Sequence, residues 1–157
     1  MSLRTLTVVL ASTLVGIVAT PVGAQDAPPN PRVLVETSEG DFEIELFKDQ
    51  VPATVVNFLT YVQAGYYDGT IFHRVIDSFM AQSGDPTGTG RGGSELPDLK
   101  AEFNRVPHLR GTVSMARMGN SEDSANSQFF IVFYPTMAID GKYTVFGRVI
   151  SGMDKVD

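Results

Sequence analysis

Apolar and polar residues alternate twice in quick succession, first at Val33 and Val35 and again at Phe42, Ile44 and Leu46, with Ser38-Glu39-Gly40 between the two runs. A period of two, broken by a glycine-bearing turn, predicts a hairpin of two half-buried strands. The period then changes. Val55, Phe58, Leu59 and Val62 recur at i, i+3, i+4 and i+7 behind Pro52, and Gly65 closes the run, so one amphipathic helix is expected there. Further strands are expected over residues 70–75, 79–84, 112–117, 128–134 and 144–149, joined by irregular connections. Many short strands and few helices point to a closed or nearly closed antiparallel barrel, because closure removes exposed edges.

The chain has 157 residues, of which 43% are hydrophobic, enough for one globular domain of ordinary core size. Residues 1–24 stand apart from it. Arg4 supplies a positive start, residues 6–19 form an uncharged apolar run, and Val22-Gly23-Ala24 offers a small-residue cleavage site, the pattern of a secretory leader cut after Ala24. The run is shorter than the roughly 20 apolar residues a membrane span needs and ends at Pro21, so no stable membrane insertion is expected after cleavage. Residues 25–31 read as a Pro-rich tether, and the domain proper is expected over 32–157. Export follows from the leader, to the periplasm or outside the cell. There is no cysteine, hence neither a disulfide nor a lipoprotein anchor. The formal charge is −6 and the basic residues are scattered singly, which argues against nucleic acid as a partner.

Arg74 is the oddest residue of the chain, because it sits among Phe72, Val75 and Ile76 with Gln82 not far on. A guanidinium cannot lose its charge and is seldom buried without an acceptor. In a strand over 70–75, Ile71, His73 and Val75 share one face while Phe72 and Arg74 share the other. Taken alone, Arg74 is as well explained by a stem lying on apolar surface with its head in water or on a carboxylate. Phe79, Phe129 and Phe130 are equally explained as core fillers, Met80 as a gap filler and Gln82 as a structural hydrogen-bond partner.

Three other signals lead nowhere. Gly88, Gly90 and Gly93 satisfy G-x-G-x-x-G, but Glu95-Leu96-Pro97 does not open a helix and no βαβ unit surrounds them, so the run is expected to be a flexible surface loop. His73 and His108 are the only histidines and no cysteine completes a metal shell, so no metal site is expected. Ser83, Ser114 and Ser127 lack the G-x-S-x-G elbow of a serine hydrolase.

From about Arg32 onward the chain resembles the cyclophilin-type peptidyl-prolyl cis-trans isomerases. The resemblance rests on Val51-Pro52-Ala53-Thr54, Phe72-His73-Arg74-Val75, Phe79-Met80-Ala81-Gln82, Gly111-Thr112-Val113-Ser114-Met115-Ala116, Ser127-Gln128-Phe129-Phe130-Ile131 and Asp140-Gly141-Lys142-Tyr143-Thr144-Val145-Phe146-Gly147, six pieces in the family's order. It implies a mainly β fold, an eight-stranded antiparallel barrel capped by helices, binding proline-containing peptides in a surface groove. Family members continue past Gly152-Met153-Asp154 into a last strand that pairs with the first. With that strand missing, Arg32–Thr37 is expected to face an unpaired edge.

The resemblance also implies roles. Arg74 matches the catalytic arginine near the prolyl nitrogen, and Gln82 the glutamine that bonds the substrate backbone. Phe79, Met80 and Phe130 match the apolar floor under the proline ring, with Phe129 turned inward. Ala116 and Gln128 match groove residues, and Ile139 a position where leucine is usual. Two positions depart from the best-known members: Tyr143 replaces a rim histidine, and Arg117 replaces an asparagine. Ala138 stands where members that bind cyclosporin tightly carry tryptophan, so weak cyclosporin binding is expected.

The implied function is prolyl isomerisation that assists the folding of exported proteins, by a monomer acting on unfolded clients without metal or cofactor. A non-catalytic proline-peptide-binding module or holdase is the alternative. Rotation about X-Pro faces a barrier of roughly 20 kcal/mol, and the twisted amide has a pyramidal, basic nitrogen. A fixed cation beside that nitrogen, between dry apolar walls, favours the twisted state over the planar one.

Overall fold

The structure, a computed structural model, describes Leu3–Val8 and residues 29–157. Among these residues eight strands form one curled antiparallel sheet: β1 (Leu3–Val8), β2 (Arg32–Thr37), β3 (Phe42–Leu46), β4 (Arg74–Ile76), β5 (Met80–Ser83), β6 (Thr112–Met115), β7 (Phe129–Val132) and β8 (Val145–Ser151). Their spatial order is β1-β2-β3-β8-β6-β7-β5-β4. Helix α1 (Pro52–Gln63) and the single turn α2 (Met153–Val156) complete it, with a 3-10 turn at Met137–Ile139. Among the described residues no helix is long and apolar enough to cross a membrane.

The hairpin and the helix form where the periodicity predicts them. Along β3, Phe42, Ile44 and Leu46 are buried while Glu43 and Glu45 are not, and Val33 and Val35 of β2 alternate in the same way. Helix α1 lays Val55, Phe58, Tyr61 and Val62 on the sheet's inner face. Phe58 is the centre of that contact, 4.9 Å from the Phe146 ring, 5.3 Å from Tyr67 and 5.6 Å edge-on from Phe129. The helix carries no acidic residue in its first turn and no side-chain cap of its own. Glu102 supplies both from a distant loop: its carboxylate accepts from the N–H groups of Ala53 (3.2 Å) and Thr54 (2.7 Å) and from the Thr54 hydroxyl (2.7 Å). An anion on orphan N–H groups at a helix start is favourable.

Three expectations need correction. The strand expected over 70–75 begins only at Arg74, so Phe72 and His73 lie in irregular chain before it. The ladder explains this, since Arg74, Val75 and Ile76 are the residues with partners on β5. Second, the edge expected to be open at Arg32–Thr37 is paired: β1 runs antiparallel along β2, with Leu6 opposite Val35 and Val8 opposite Val33, and a bulge between Leu3 and Thr5. Leu3–Val8 is a stretch of Leu, Thr and Val residues around Arg4, good strand formers, and the outer side of β2 offers a row of free N–H and C=O groups. The rest of the expected leader, its cleavage site and the start of the tether lie outside the described residues. Third, the glycine-rich run is not loose; what pins it belongs to the site.

Candidate active site

Strand register assembles the site. Arg74 on β4 is the direct partner of Gln82 on β5, Gln82 of Phe130 on β7, and Phe130 of Ser114 on β6. Directly opposed residues share a face, so these four make one row across four strands on the outer side of the sheet. Met80 and Val132, two positions along, continue that face. The residues between them, Ala81, Ile131 and Val113, point into the main core.

The outer face carries its own small apolar cluster. Met80, Phe130 and Val132 are buried, and Phe79, Ala116, Ile139 and Tyr143 pack against them. Phe79 lies 6.5 Å from the Phe130 ring, and Tyr143 meets the same ring edge-on at 5.6 Å. Phe129 lies with the inner core, as strand alternation demands of one member of the pair. Every apolar site residue singled out in the sequence is therefore in one group.

The polar residues form a relay beside it. Arg74 donates through Nη1 to Gln82 Oε1 at 3.1 Å, Gln82 Nε2 donates to Gln128 Oε1 at 2.8 Å, and Gln128 Nε2 donates to the carbonyls of Gly90 (3.2 Å) and Gly92 (2.7 Å). The guanidinium has no carboxylate partner among the described residues, and its other N–H groups have no protein partner there. One expectation changes here. Arg74 is exposed, on a strand at the sheet's edge all of whose residues are exposed, rather than enclosed in a dry cleft. A groove that must admit a chain is open when empty, and water leaves it when an apolar ring covers the floor.

The two departures from the family pattern touch each other. The Arg117 guanidinium carbon lies 4.7 Å from the centroid of the Tyr143 ring, within cation–π range. Arg117 is held there by donating through Nε to the Lys142 carbonyl (3.0 Å) and through Nη1 to that of Met118 (2.9 Å). Beyond Gln82 and Gln128 the groove runs into a recess of about 530 Å³ whose walls include Gly92, Ala116, Arg117 and Met118.

Sequence reasoning missed what lies underneath. His108 is fully buried and stacks on Phe130, 6.1 Å between centroids and 10° from parallel. Its backbone N–H and its Nδ1 both lie 2.8 Å from Asp140 Oδ1, and its Nε2 is 3.2 Å from Ser114 Oγ. The His108 backbone N–H first, then its ring, hold the Asp140 carboxyl below the usual carboxylate range. Ser, His and Asp here stand in the order of a hydrolase triad, but Ser114 and His108 are sealed under the floor and reach no solvent. Their effect is to tie Asp140, and with it the neighbouring Ile139 and Tyr143, to the floor. Among the described residues no group of three or more His, Asp or Glu is placed to hold a metal ion.

Residues 32–157 match the family model of cyclophilin-type peptidyl-prolyl cis-trans isomerases. A peptidyl-prolyl cis-trans isomerase-like 1 of Aspergillus fumigatus is 50% identical over 123 residues, 77% of this chain and 76% of that protein. A probable peptidyl-prolyl cis-trans isomerase of Brucella suis is 46% identical over 145 residues, 85% of this chain and 74% of its own length. Among solved structures, a Cryptosporidium parvum cyclophilin-type isomerase crystallised in the presence of the dipeptide Ala-Pro superposes with a TM-score of 0.75 at 38% identity, covering 79% of this chain and 81% of that one. A Hirschia baltica cyclophilin gives 0.73 at 28% identity, covering 82% of this chain and 67% of that one. With its register, its apolar floor and its arginine beside it, the chain belongs to the cyclophilin-type peptidyl-prolyl cis-trans isomerases.

Proposed function

We propose that this isomerase turns X-Pro bonds in unfolded exported proteins, with Arg74 as the catalytic cation. The observation that carries the reading is the placement of Arg74 opposite Gln82, in register with Phe130. A pyrrolidine ring seated on Phe79, Met80 and Phe130 puts its nitrogen toward the relay side of the groove. As the amide twists, that nitrogen regains its lone pair and attracts a guanidinium N–H, while Gln82 and neighbouring backbone hold the chain on one side of the bond. The planar amide offers no such lone pair, so the interaction strengthens only in the twisted state. Lowering the barrier by about 7 kcal/mol corresponds to five decades in rate, within reach of a charge-assisted bond joined to positioning and exclusion of water. Ala116, Gln128, Ile139 and Tyr143 wall the groove, and the recess bounded by Arg117 takes a neighbouring side chain of the peptide.

The test is isomerisation of a short proline peptide by the wild type and by Arg74→Ala, with binding followed in parallel. Loss of turnover with binding retained supports catalysis by Arg74. Binding without turnover in the folded wild type leaves a proline-peptide-binding module instead. Export rests on the composition of residues 1–24 alone, and N-terminal sequencing of the mature protein should find Gln25 first. Such cleavage would strip β1 from β2, so a protein retaining Met1 outside the cell would overturn it.

A further inference from the structure

The buried Asp85 has no place in the mechanism above, yet it is the most heavily bonded side chain near the groove. It is fully buried, three residues past Gln82. Its Oδ1 accepts from the N–H and the hydroxyl of Thr87, both at 2.8 Å. Its Oδ2 accepts from the N–H groups of Thr89 (3.1 Å), Gly90 (2.6 Å) and Gly92 (3.1 Å). Burial works to raise its pKa, but the bonds from Thr87, Gly92 and Gly90 outweigh burial and hold the carboxyl far below the ordinary carboxylate range. A glycine-rich loop thus wraps an anion, and for this reason the run expected to be flexible is ordered.

Two of the glycines held by Asp85 are those whose carbonyls accept from Gln128. This fixes a direction. A side-chain amide has a donor end and an acceptor end. Because Gly90 and Gly92 present carbonyl oxygens, Gln128 must turn its NH2 toward them and its Oε1 toward Gln82. Gln82 must then answer with its NH2, which leaves its own Oε1 facing Arg74. Reversing Gln82 would set donor against donor at the guanidinium, and reversing Gln128 would set donor against donor at Gln82 and oxygen against oxygen at the loop, a clash relieved only by reversing Gln82 as well. The loop therefore determines that the arginine meets an acceptor.

Building on the reading of Arg74 as the catalytic cation, we propose that Asp85 is a positioning residue for the isomerisation, acting through the Gly90–Gly92 backbone to set the polarity of the Gln128–Gln82 relay that orients Arg74. Asp85 is sealed from solvent and touches no substrate.

Two variants test this. Asp85→Asn places an NH2 against N–H donors in either orientation. Gly92→Ala keeps Asp85 but builds a Cβ that overlaps its Oδ1 and lies 2.9 Å from Thr87 Oγ1, at a φ outside the left-handed region that favours glycine. Each is expected to lower kcat by about ten- to a hundredfold, the scale of a misplaced catalytic group, with KM changed less than about twofold. The side-chain NH2 resonances of Gln82 and Gln128 should shift with it, which a merely structural role would not produce while the barrel's backbone amides stay in place. In the wild type those NH2 groups should exchange slowly with water. Wild-type kcat in folded Gly92→Ala, unmoved glutamine resonances in a slowed variant, or freely exchanging glutamine amides in the wild type each overturn the proposal. If Asp85→Asn does not fold, Gly92→Ala and the wild-type exchange measurement decide. Arg74→Ala keeps the two readings apart: turnover surviving that change removes the role of Arg74, whereas turnover lost there but kept in Gly92→Ala removes only the role of Asp85.

Discussion

Arg74 and Gln82 are direct cross-strand partners on β4 and β5, and the bond between them, Nη1 to Oε1 at 3.1 Å, is the guanidinium's hydrogen bond among the described residues. One neutral acceptor at one nitrogen steers the planar group without neutralising it. A carboxylate in the same place would hold the cation more firmly but would also spend its charge, weakening its response to a developing lone pair.

Arg74→Lys keeps the positive charge and loses the fork. An ammonium has a shorter, round head that cannot at once bond Gln82 and reach the prolyl nitrogen. The expected outcome is a fall in kcat/KM of roughly a hundredfold, about 2.7 kcal/mol of transition-state stabilisation, with an unchanged melting temperature. A protease-coupled or magnetisation-exchange assay on an Ala-Pro peptide reads it.

Helix α1 depends on a residue far along the chain for its N-terminal cap. Glu102→Gln keeps an acceptor for one N–H of Ala53 or Thr54 but removes the anion from the helix start. A loss of about 1 kcal/mol in unfolding free energy is expected, as for other caps, with turnover little changed because the groove lies on the opposite face of the sheet. Denaturant melts of the two proteins check it.

The elements legible in the sequence are those whose periodicity reports burial on one side only. Phe42, Ile44 and Leu46 announce β3, and Val55, Phe58 and Val62 announce α1, because water lies across from them. Strands β5, β6 and β7 are harder to read, because their outer face is covered as well as their inner one and no alternation of buried and exposed positions results; β6 and β7 are buried at all four positions. Arg74, Gln82 and Phe130 were legible as a motif, but their common row depends on a register that no single strand encodes. The parts not foreseen, Asp85 under its loop and His108 under Phe130, are buried polar groups. Their meaning depends on partners contributed by the fold, and an isolated Asp or His in the sequence carries no mark of them. Pairing of Leu3–Val8 with β2 was missed because an apolar run near the start reads first as a leader, while the same residue types make good strands.

His73 lies in the motif beside Arg74, yet both of its ring nitrogens are buried without a hydrogen-bond partner, and Gly90 sits over its ring edge. An unpaired buried polar group is a cost, on the order of 1 kcal/mol or more. His73→Leu, of similar volume, should therefore leave the melting temperature unchanged or raise it by a few degrees, and should leave turnover within about twofold. A loss of several degrees in a thermal melt would mean that the ring makes an interaction of its own.

Asp85 also predicts an acid dependence whose sign is fixed. Its carboxyl titrates well below the usual range in the folded protein and near 3.9 in an unfolded chain, so over that interval the unfolded state binds the extra proton. The stability it contributes is complete above about pH 4 and drains away as the pH falls through the folded value. Asp85→Asn cannot lose what it never had. The gap in unfolding free energy between wild type and variant should therefore be constant from pH 7 down to about 5, and narrow steadily below pH 4. Asp140, held down by His108, acts in the same direction, but it is present in both proteins and cancels in the comparison. Denaturant midpoints measured in parallel from pH 7 to pH 2.5 read the gap directly, and a gap that stays constant or widens on acidification would show that the loop does not close on an ionised Asp85.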